Sequence, residues 1–596
     1  MADHSLDARS WVGIVIFFVV IYCINRPISV PVPHAVRRGV LVGAHKLRLI
    51  DAVPTTHRRW HAKLQLVTAP VVGVALLWAS TCIGASVIRV GIVGDGNVEP
   101  YDVLILFISL AYISCSLDAT GGLRALAFFV SQKAGKSGHG LFATLYAFFF
   151  LSGCIIGNDP IILSGTPFLA YFTHVVGIVP PTAWIITQFI AANVSSAVLV
   201  SSNPTNVLIA GAFGLNFLTG YTKYTILPTV VCGVVGFFIC WIMFTVCKPS
   251  VKATDAEGTA DEKEKAGGAA EGPLRYIPTT LHSPDVDPRK ALLDPPGAIF
   301  HTTLLLVTLA TLVGTSFVEG VAVWMVTMPA GVIAFIRDVV SDWWRDGAVE
   351  RAEATSEDEP GTEASVIKHG EAPANEPSEV AMIESDASTP PLDSRQSSPS
   401  EGRRAAASRS GRGRTAESLW TSFRRRFPTT SLTLTRLPVP LVIFGFAMFI
   451  LVRALDSLGW IAVFATWAAR VCTSPAKTVF FLGPLISWFL CSLFGTNIGS
   501  AIVMVEILRH PNFAQSAAVV ADPNILKAAV FVSAMSSNLG AFSFTFSASL
   551  AGLLWVSILR QKGINVRMRH FAAWNAVPVV LLTLLSSAVI LAELKF

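Results

Sequence analysis

Ser201-Ser202-Asn203-Pro204-Thr205-Asn206 interrupts an apolar segment, residues 182–218, that is long enough to cross a bilayer. A membrane helix broken by Ser, Asn and Pro leaves backbone N–H and C=O groups without partners. Such a break survives in hydrocarbon only where it faces protein or a watery cavity. Near the other end of the chain, Ser536-Ser537-Asn538-Leu539-Gly540 falls inside a second apolar segment, 525–559. Two polar interruptions at corresponding places in two halves are the sequence mark of a transporter's solute site.

The rest of the chain agrees with a membrane setting. Its 596 residues are 52% hydrophobic and only 14% charged, where a soluble protein would carry about a quarter. Several windows of roughly 20 apolar residues fit spanning helices. The nine cysteines are scattered without CxxC spacing, so small apolar packing roles are expected. The net charge of +6 lies mostly in loops. It bears on orientation rather than on nucleic acid, and no nucleic-acid partner is expected.

Residues 11–25 form a first apolar segment, and 26–63 is rich in Arg, Lys and His. The positive-inside bias puts that tract in the cytoplasm and the N-terminus outside. Segments 64–94 and 101–130 then read as crossings. Residues 139–178 are apolar but broken at Gly157-Asn158-Asp159-Pro160, because proline removes a donor and disfavours helix at the preceding residue. A re-entrant hairpin is the preferred reading, with two full crossings as the alternative. Segments 224–247, 296–316, 320–336, 437–470 and 571–592 are further helices, and 476–510 is a second hairpin broken at Gly495-Thr496-Asn497. The tracts 248–293 and 337–436 lose apolar periodicity and are expected to be disordered, cytoplasmic linkers. Within the second, 402–426 offers arginines to anionic lipid or serines for phosphorylation, although a solvated linker is the plainer reading.

An internal repeat organises these segments. LILFISLAYISCSLDATGGLRALAFFV (104–130) resembles LVIFGFAMFILVRALDSLGWIAVFATW (441–467), setting Asp118 opposite Asp456. Gly157-Asn158 falls opposite Thr496-Asn497, and Ser201-Ser202-Asn203 opposite Ser536-Ser537-Asn538, at offsets of roughly 335–340 residues. Each half has an odd number of crossings, so the halves are expected to lie upside down relative to each other. The fold class expected is an all-α polytopic membrane protein with an inverted-topology repeat. It has about 10 transmembrane helices, two re-entrant hairpins and two broken helices. The organisation reads as a first repeat (1–247), a linker (248–293), the start of the second repeat (294–336), a long loop (337–436) and the remainder of the second repeat (437–596).

Hairpin tips and breaks of such a repeat meet near the bilayer midplane. The candidate substrate-binding residues are Asn158, Ser201, Ser202, Asn203, Thr205, Asn206, Thr496, Asn497, Ser536, Ser537 and Asn538. Amides and hydroxyls donate and accept, so they replace a hydration shell without fixing a charge. No Arg or Lys falls at the four interruptions. Backbone dipoles of the half-helices are therefore expected to carry any negative solute. Asp159 at the first tip and Glu506 in the second hairpin are the candidates for a coupling ion, H+ or Na+, since charge at that depth is costly. Glu506 equally suits a plain pair with Arg509. Asp118 and Asp456 read as structural residues at helix ends. No cofactor or metal site is expected. An enzyme would need clustered His, Asp or Cys, and His174, His301, His510 and His570 stand singly. No P-loop for ATP appears either.

GNDPIILSGTPFL (157–169), SSNPTNVLIAGAFGLNFLTGY (201–221) and SSNLGAFSFTFSASLAGLLWVSILRQKG (536–563) resemble the arsenite-permease and citrate-transporter-like branch of the ion transporter superfamily. The resemblance covers both membrane halves but not the two polar tracts. It implies a secondary transporter, elevator-like movement of a substrate-bearing domain, and possible homodimers. The Gly-Asn-Asp run tilts the substrate toward arsenite, while related members move dicarboxylates, citrate, or sodium and protons. A sodium/proton antiporter is the alternative.

Overall fold

The computed structural model describes residues 6–32, 38–39, 41–42, 45, 61–94, 99–133, 137–247, 275–279, 291–315, 318, 321–357 and 416–595. The chain divides into two units. One contains Met1–Val32, Arg59–Val339 and Thr429–Phe596; the other contains Pro33–Arg58 and Val340–Pro428.

The first unit is built almost wholly of helices. α1 (Ala8–Asn25) starts at Asp7, whose carboxylate accepts from the Ser10 amide at 2.8 Å. A short antiparallel ribbon follows, β1 (Ile28–Pro31) on β2 (His61–Leu64), with Ile28 opposite Leu64. Sequence pattern does not announce it. The expected single crossing 64–94 is two helices, α2 (Thr68–Ala79) and α3 (Ala85–Val93). Thr81, between them, has a positive φ of 55°, which no continuous helix accommodates. The expected crossing 101–130 is likewise divided, into α4 (Pro100–Ala119) and a short α5 (Gly122–Lys133).

The first hairpin is α6 (Gly138–Ile156) and α7 (Asn158–Val175), joined by Gly157 alone. The first broken helix is α8 (Thr182–Ser195) and α9 (Pro204–Ala212), and α10 (Lys223–Val246) closes the half. In the linker, Tyr276 and Ile277 are buried, and the Tyr276 carbonyl accepts from the Trp184 indole at 3.1 Å. That short part is therefore held against the helices, contrary to expectation, because it supplies two apolar side chains. The remainder of 248–290 lies outside the described residues.

The second half repeats the order. α11 (Pro295–Thr315) is followed by α12 (Trp324–Glu357), which runs 21 residues beyond the expected end at 336. α13 (Ala416–Arg426) and α14 (Pro428–Arg436) are also helical. The expectation of disorder throughout 337–436 is thus corrected at both ends, while 358–415 lies outside the described residues. Trp420, Phe423 and Phe427 at helical spacing supply the local pattern that the polar average conceals. α15 (Val439–Ser457) and a short α16 (Trp460–Val471) divide at Gly459 as α4 and α5 do at Gly121. The second hairpin has α17 (Pro475–Pro484), continued to Leu493, and α18 (Asn497–Arg509). Then come α19 (Asn524–Gly540), α20 (Leu550–Gln561) and α21 (Met568–Glu593).

Nine helices among the described residues are long and apolar enough to span a membrane. Two of them, Gly138–Ile156 and Pro475–Leu493, are hairpin limbs. The divided pairs α2–α3, α8–α9 and α19–α20 supply further apolar length. The protein is a multi-pass integral membrane protein.

Packing repeats as well as order. α6 packs on α8 and α17 on α19, and each hairpin's second limb also lies on that same helix. Between halves the exchange is reciprocal. α7 of the first hairpin packs on α20, and α18 of the second packs on α9. The two closing helices, α10 and α21, pack on each other.

Candidate functional site

Gly157 has φ +93°, a conformation that L side chains rarely adopt, and a Cβ there would stand 2.7 Å from the Ser202 carbonyl oxygen. The first hairpin tip therefore touches the first break backbone to backbone. Ser202 Oγ reinforces the contact by donating to the Cys154 carbonyl at 2.8 Å, and Asn158 Nδ2 donates to Asn193 Oδ1 on α8 at 3.1 Å. Gly157→Ala combines backbone strain with a clash against a carbonyl that cannot move freely. It should cost about 1–3 kcal/mol, lower the thermal midpoint in detergent and abolish transport. Gly177→Ala is the comparator. It has the same sign of φ (+74°) but open space around it, and it should leave transport intact.

The break itself is satisfied by side chains. α8 ends at Ser195, and the carbonyls of Ser196 and Leu199 accept from Asn206 Nδ2 at 2.7 and 2.8 Å. Asn203 caps α9, its Oδ1 accepting from the Thr205 amide at 3.1 Å and the Thr205 hydroxyl at 3.0 Å. Pro204 suits the first helical position, where no N–H is needed.

One residue of the second half completes this network. Asn538 Nδ2 donates to Asn206 Oδ1 at 2.7 Å and to the Ala534 carbonyl at 2.9 Å. Its Oδ1 accepts from Asn203 Nδ2 at 2.9 Å and Ser196 Oγ at 3.0 Å. Two acceptors face the nitrogen and two donors face the oxygen, which fixes the orientation of the amide. Asn203, Asn206 and Asn538 are all buried, and they tie α9 to α19.

Asn538 does not lie in the second break, however. α19 runs unbroken through Ser536, Ser537 and Asn538. The interruption follows at 541–549, with a 3-10 turn at Phe546–Ala548 and Ser549 capping α20. The match of the two Ser-Ser-Asn strings is thus not the structural match. The turn Val200–Ser202 corresponds to Phe546–Ala548, and Asn203 to Ser549. Ser537 stays helical by donating to the Ala534 carbonyl at 2.9 Å. Ser536 Oγ is buried with no partner among the described residues.

At the second tip, Gly495 has φ +73° and Thr496 caps α18, accepting from the Gly499 amide at 3.1 Å. Asn497 is buried beside it. The second break carries a chain of hydroxyls that sequence reading missed: Ser492 to Ser543 (3.1 Å), Thr545 to Ser492 (3.2 Å) and Ser547 to Asn25 (3.3 Å). Ser and Thr alternating with Phe in 542–547 were the available signal.

A cavity of ≈ 380 Å³ opens where the first tip meets the first break. Of the expected substrate residues, Asn158, Ser201, Ser202 and Asn203 line it, together with Asp159. Thr205, Asn206, Thr496, Asn497, Ser536, Ser537 and Asn538 do not. Leucines 550, 553 and 554 of α20 and several apolar residues of α4 form the opposing wall. Asp159, in the first turn of α7, has no hydrogen-bond or ion-pair partner among the described residues.

The cavity also includes Arg436, at the end of α14. Its Nη1 lies 2.8 Å from Asp118 Oδ2. No Arg or Lys falls at the four interruptions, and Arg436 reaches the cavity from outside them. Arg436 is 318 residues from its partner and sits at the edge of a polar tract, so no local pattern links it to the breaks. Glu506 does not line the cavity, and its carboxylate lies 3.4 Å from Arg453 Nη1. Arg453 also reaches Asp456, at 3.5 Å.

Residues 61–349 match the CitMHS family of citrate transporters. That match covers a little under half of the chain. The citrate-transporter match spans the first hairpin, the first break, α11 and most of α12, so it holds every predicted residue that lines the cavity. No curated protein matches the chain significantly. Among solved structures the chain is similar to the Alcanivorax borkumensis YdaH transporter, described as having an unusual topology, at 12% identity over 99% of each chain with a TM-score of 0.44.

Proposed function

We propose that this protein is a secondary active transporter of a small oxygen-rich anion, with citrate-like carboxylates ahead of arsenite. The observation that carries the reading is the cavity at the first tip, where amides and hydroxyls of Asn158, Ser201, Ser202 and Asn203 share one space with Arg436 and Asp159. A carboxylate has a guanidinium to pair with and neutral donors to replace its water. The citrate-transporter match over this same region supports the choice.

Charge decides the coupling. Arg436 is offset by Asp118, and Asp159 adds a further negative charge. An anion entering beside an ionised Asp159 is repelled, so a proton or a sodium ion on Asp159 accompanies it. In this reading the hairpins and broken helices move as a body past the remaining helices, carrying the loaded cavity across. The two halves lie in opposite orientations.

The test is uptake by purified protein in liposomes of labelled citrate, succinate, arsenite and sodium, each with and without proton and sodium gradients. Citrate accumulation driven by one of the gradients is expected. Asp159→Asn should remove the dependence on that gradient, and Arg436→Gln should raise the citrate KM about tenfold or more without changing arsenite movement. Cation exchange that Asp159→Asn abolishes, with no carboxylate uptake, would establish an antiporter instead. That second reading draws on Asp159 standing without a partner at the cavity.

A further inference from the structure

The unit containing Val340–Pro428 presents a surface that the transport reading does not use. α12 is apolar enough to span a membrane only as far as Arg345. At that end Trp343 and Trp344 are 55% and 66% exposed. Tryptophan at the end of a spanning helix suits the headgroup boundary, since its ring is apolar and its N–H is polar.

α13 continues the feature. Trp420, Phe423 and the following Phe427 recur at helical spacing and form one stripe. Their rings lie in series, Trp420 stacked on Phe423 at 5.5 Å and Phe423 tilted against Phe427 at 5.1 Å. Phe427 lies 6.4 Å from the Trp343 ring, and the Arg426 guanidinium sits 4.2 Å over that same ring. The aromatic stripe of α13 is thereby joined, ring to ring, to the tryptophan at the end of the span. Next to it stand Arg424, Arg425 and Arg426, the last two exposed. The stretch 402–426 has eight arginines against one acid, Glu417. Asp342, the acid on the adjoining turn of α12, is buried and already engaged.

We infer that α13 is an interfacial helix that binds anionic phospholipid. Trp420, Phe423 and Phe427 enter the acyl edge, and Arg424 and Arg425 hold the lipid phosphates, while Arg426 stays over the Trp343 ring. Two features select lipid over an acidic protein partner. The arginines share the helix with an aromatic stripe that needs an apolar layer. The stripe is also attached to the end of a spanning helix, so the lipid surface is always within reach.

The test uses the full chain in nanodiscs, with Cys247→Ser and Ser422→Cys and an environment-sensitive NBD label on the introduced thiol. The label seen on the chain without Ser422→Cys is subtracted. In discs containing phosphatidylserine the emission should shift to the blue, and reduction by dithionite should slow about fivefold relative to phosphatidylcholine discs. High salt, or the combined substitutions R424Q, R425Q and R426Q, should return both readouts to the phosphatidylcholine values. Identical behaviour in the two lipids overturns the inference. So does protection that neither salt nor the substitutions alter, which would mean that protein covers α13. The salt arm stands even if the substituted chain fails to fold.

Discussion

Asn538→Ala should reduce uptake to background and lower the thermal midpoint of the purified protein. The side chain serves four hydrogen bonds, three of them to the first half: Asn206 Oδ1, Asn203 Nδ2 and Ser196 Oγ. Truncation leaves these three groups buried without that amide. A buried unsatisfied polar group costs about 1–3 kcal/mol, yet interhelical hydrogen bonds inside membranes average only about 0.6 kcal/mol. Partial re-pairing is therefore expected, and the net loss should be about 2–3 kcal/mol. Asn206 retains its bonds to the Ser196 and Leu199 carbonyls, so the first break itself survives. What is lost is the tie between α9 and α19, and with it the position of Asn203 at the cavity. Asn538→Asp is nearly isosteric, but a carboxylate has no donor for Asn206 Oδ1 or the Ala534 carbonyl. It should fail as completely. Wild-type uptake by either variant would remove the asparagine cluster from the mechanism.

A second large effect lies away from the cavity. Asp338 on α12 is fully buried and accepts from His301 Nε2 (2.9 Å), Ser116 Oγ (2.6 Å), Tyr112 OH (3.2 Å) and Arg337 Nη1 (3.3 Å). Facing a carboxylate, Nε2 is the ring nitrogen that bears the proton. His301 is also fully buried, and its Nδ1 has no partner among the described residues. Arg337 reaches Asp294 as well, at 2.8 Å. The group thus binds α4, α11 and α12 together. Asp338→Ala leaves the imidazole and a hydroxyl buried with nothing to accept from them, at a cost of about 3–5 kcal/mol. Loss of folded protein in detergent is expected. Removing both partners, His301→Phe with Asp338→Leu, should be milder than Asp338→Ala alone, because the imidazole is no longer an orphaned donor and only the smaller hydroxyl group loses its acceptor. If the double variant is the less stable of the two, the cluster contributes by some route other than mutual pairing.

The contrast between what the sequence disclosed and what it hid has a physical cause. Gly157-Asn158-Asp159-Pro160 and Asn203-Pro204 were legible because glycine, proline and capping residues break helices through local chemistry. Ser536-Ser537-Asn538 has a similar composition without the proline, and there a helix persists because Ser537 and Asn538 bond carbonyls of the preceding turn and Asn538 also finds partners across the interface. The real second break, 541–549, is rich in Phe and Ser and lacks both proline and a positive φ. Arg436 escaped notice for a different reason, since its place at the cavity is a long-range fact of packing. The divisions at Thr81 and at Gly459 were equally invisible to hydropathy, which averages over a bend.

The reciprocal packing of hairpins on opposite halves also bears on biogenesis. While the ribosome is still making the C-terminal third, α7 has no α20 to rest on and α9 has neither α18 nor the amide of Asn538. Until those helices exist, the first half lacks the partners that complete its packing. Construction of the cavity is then among the last events in the maturation of the chain, after the final helices have been released into the bilayer.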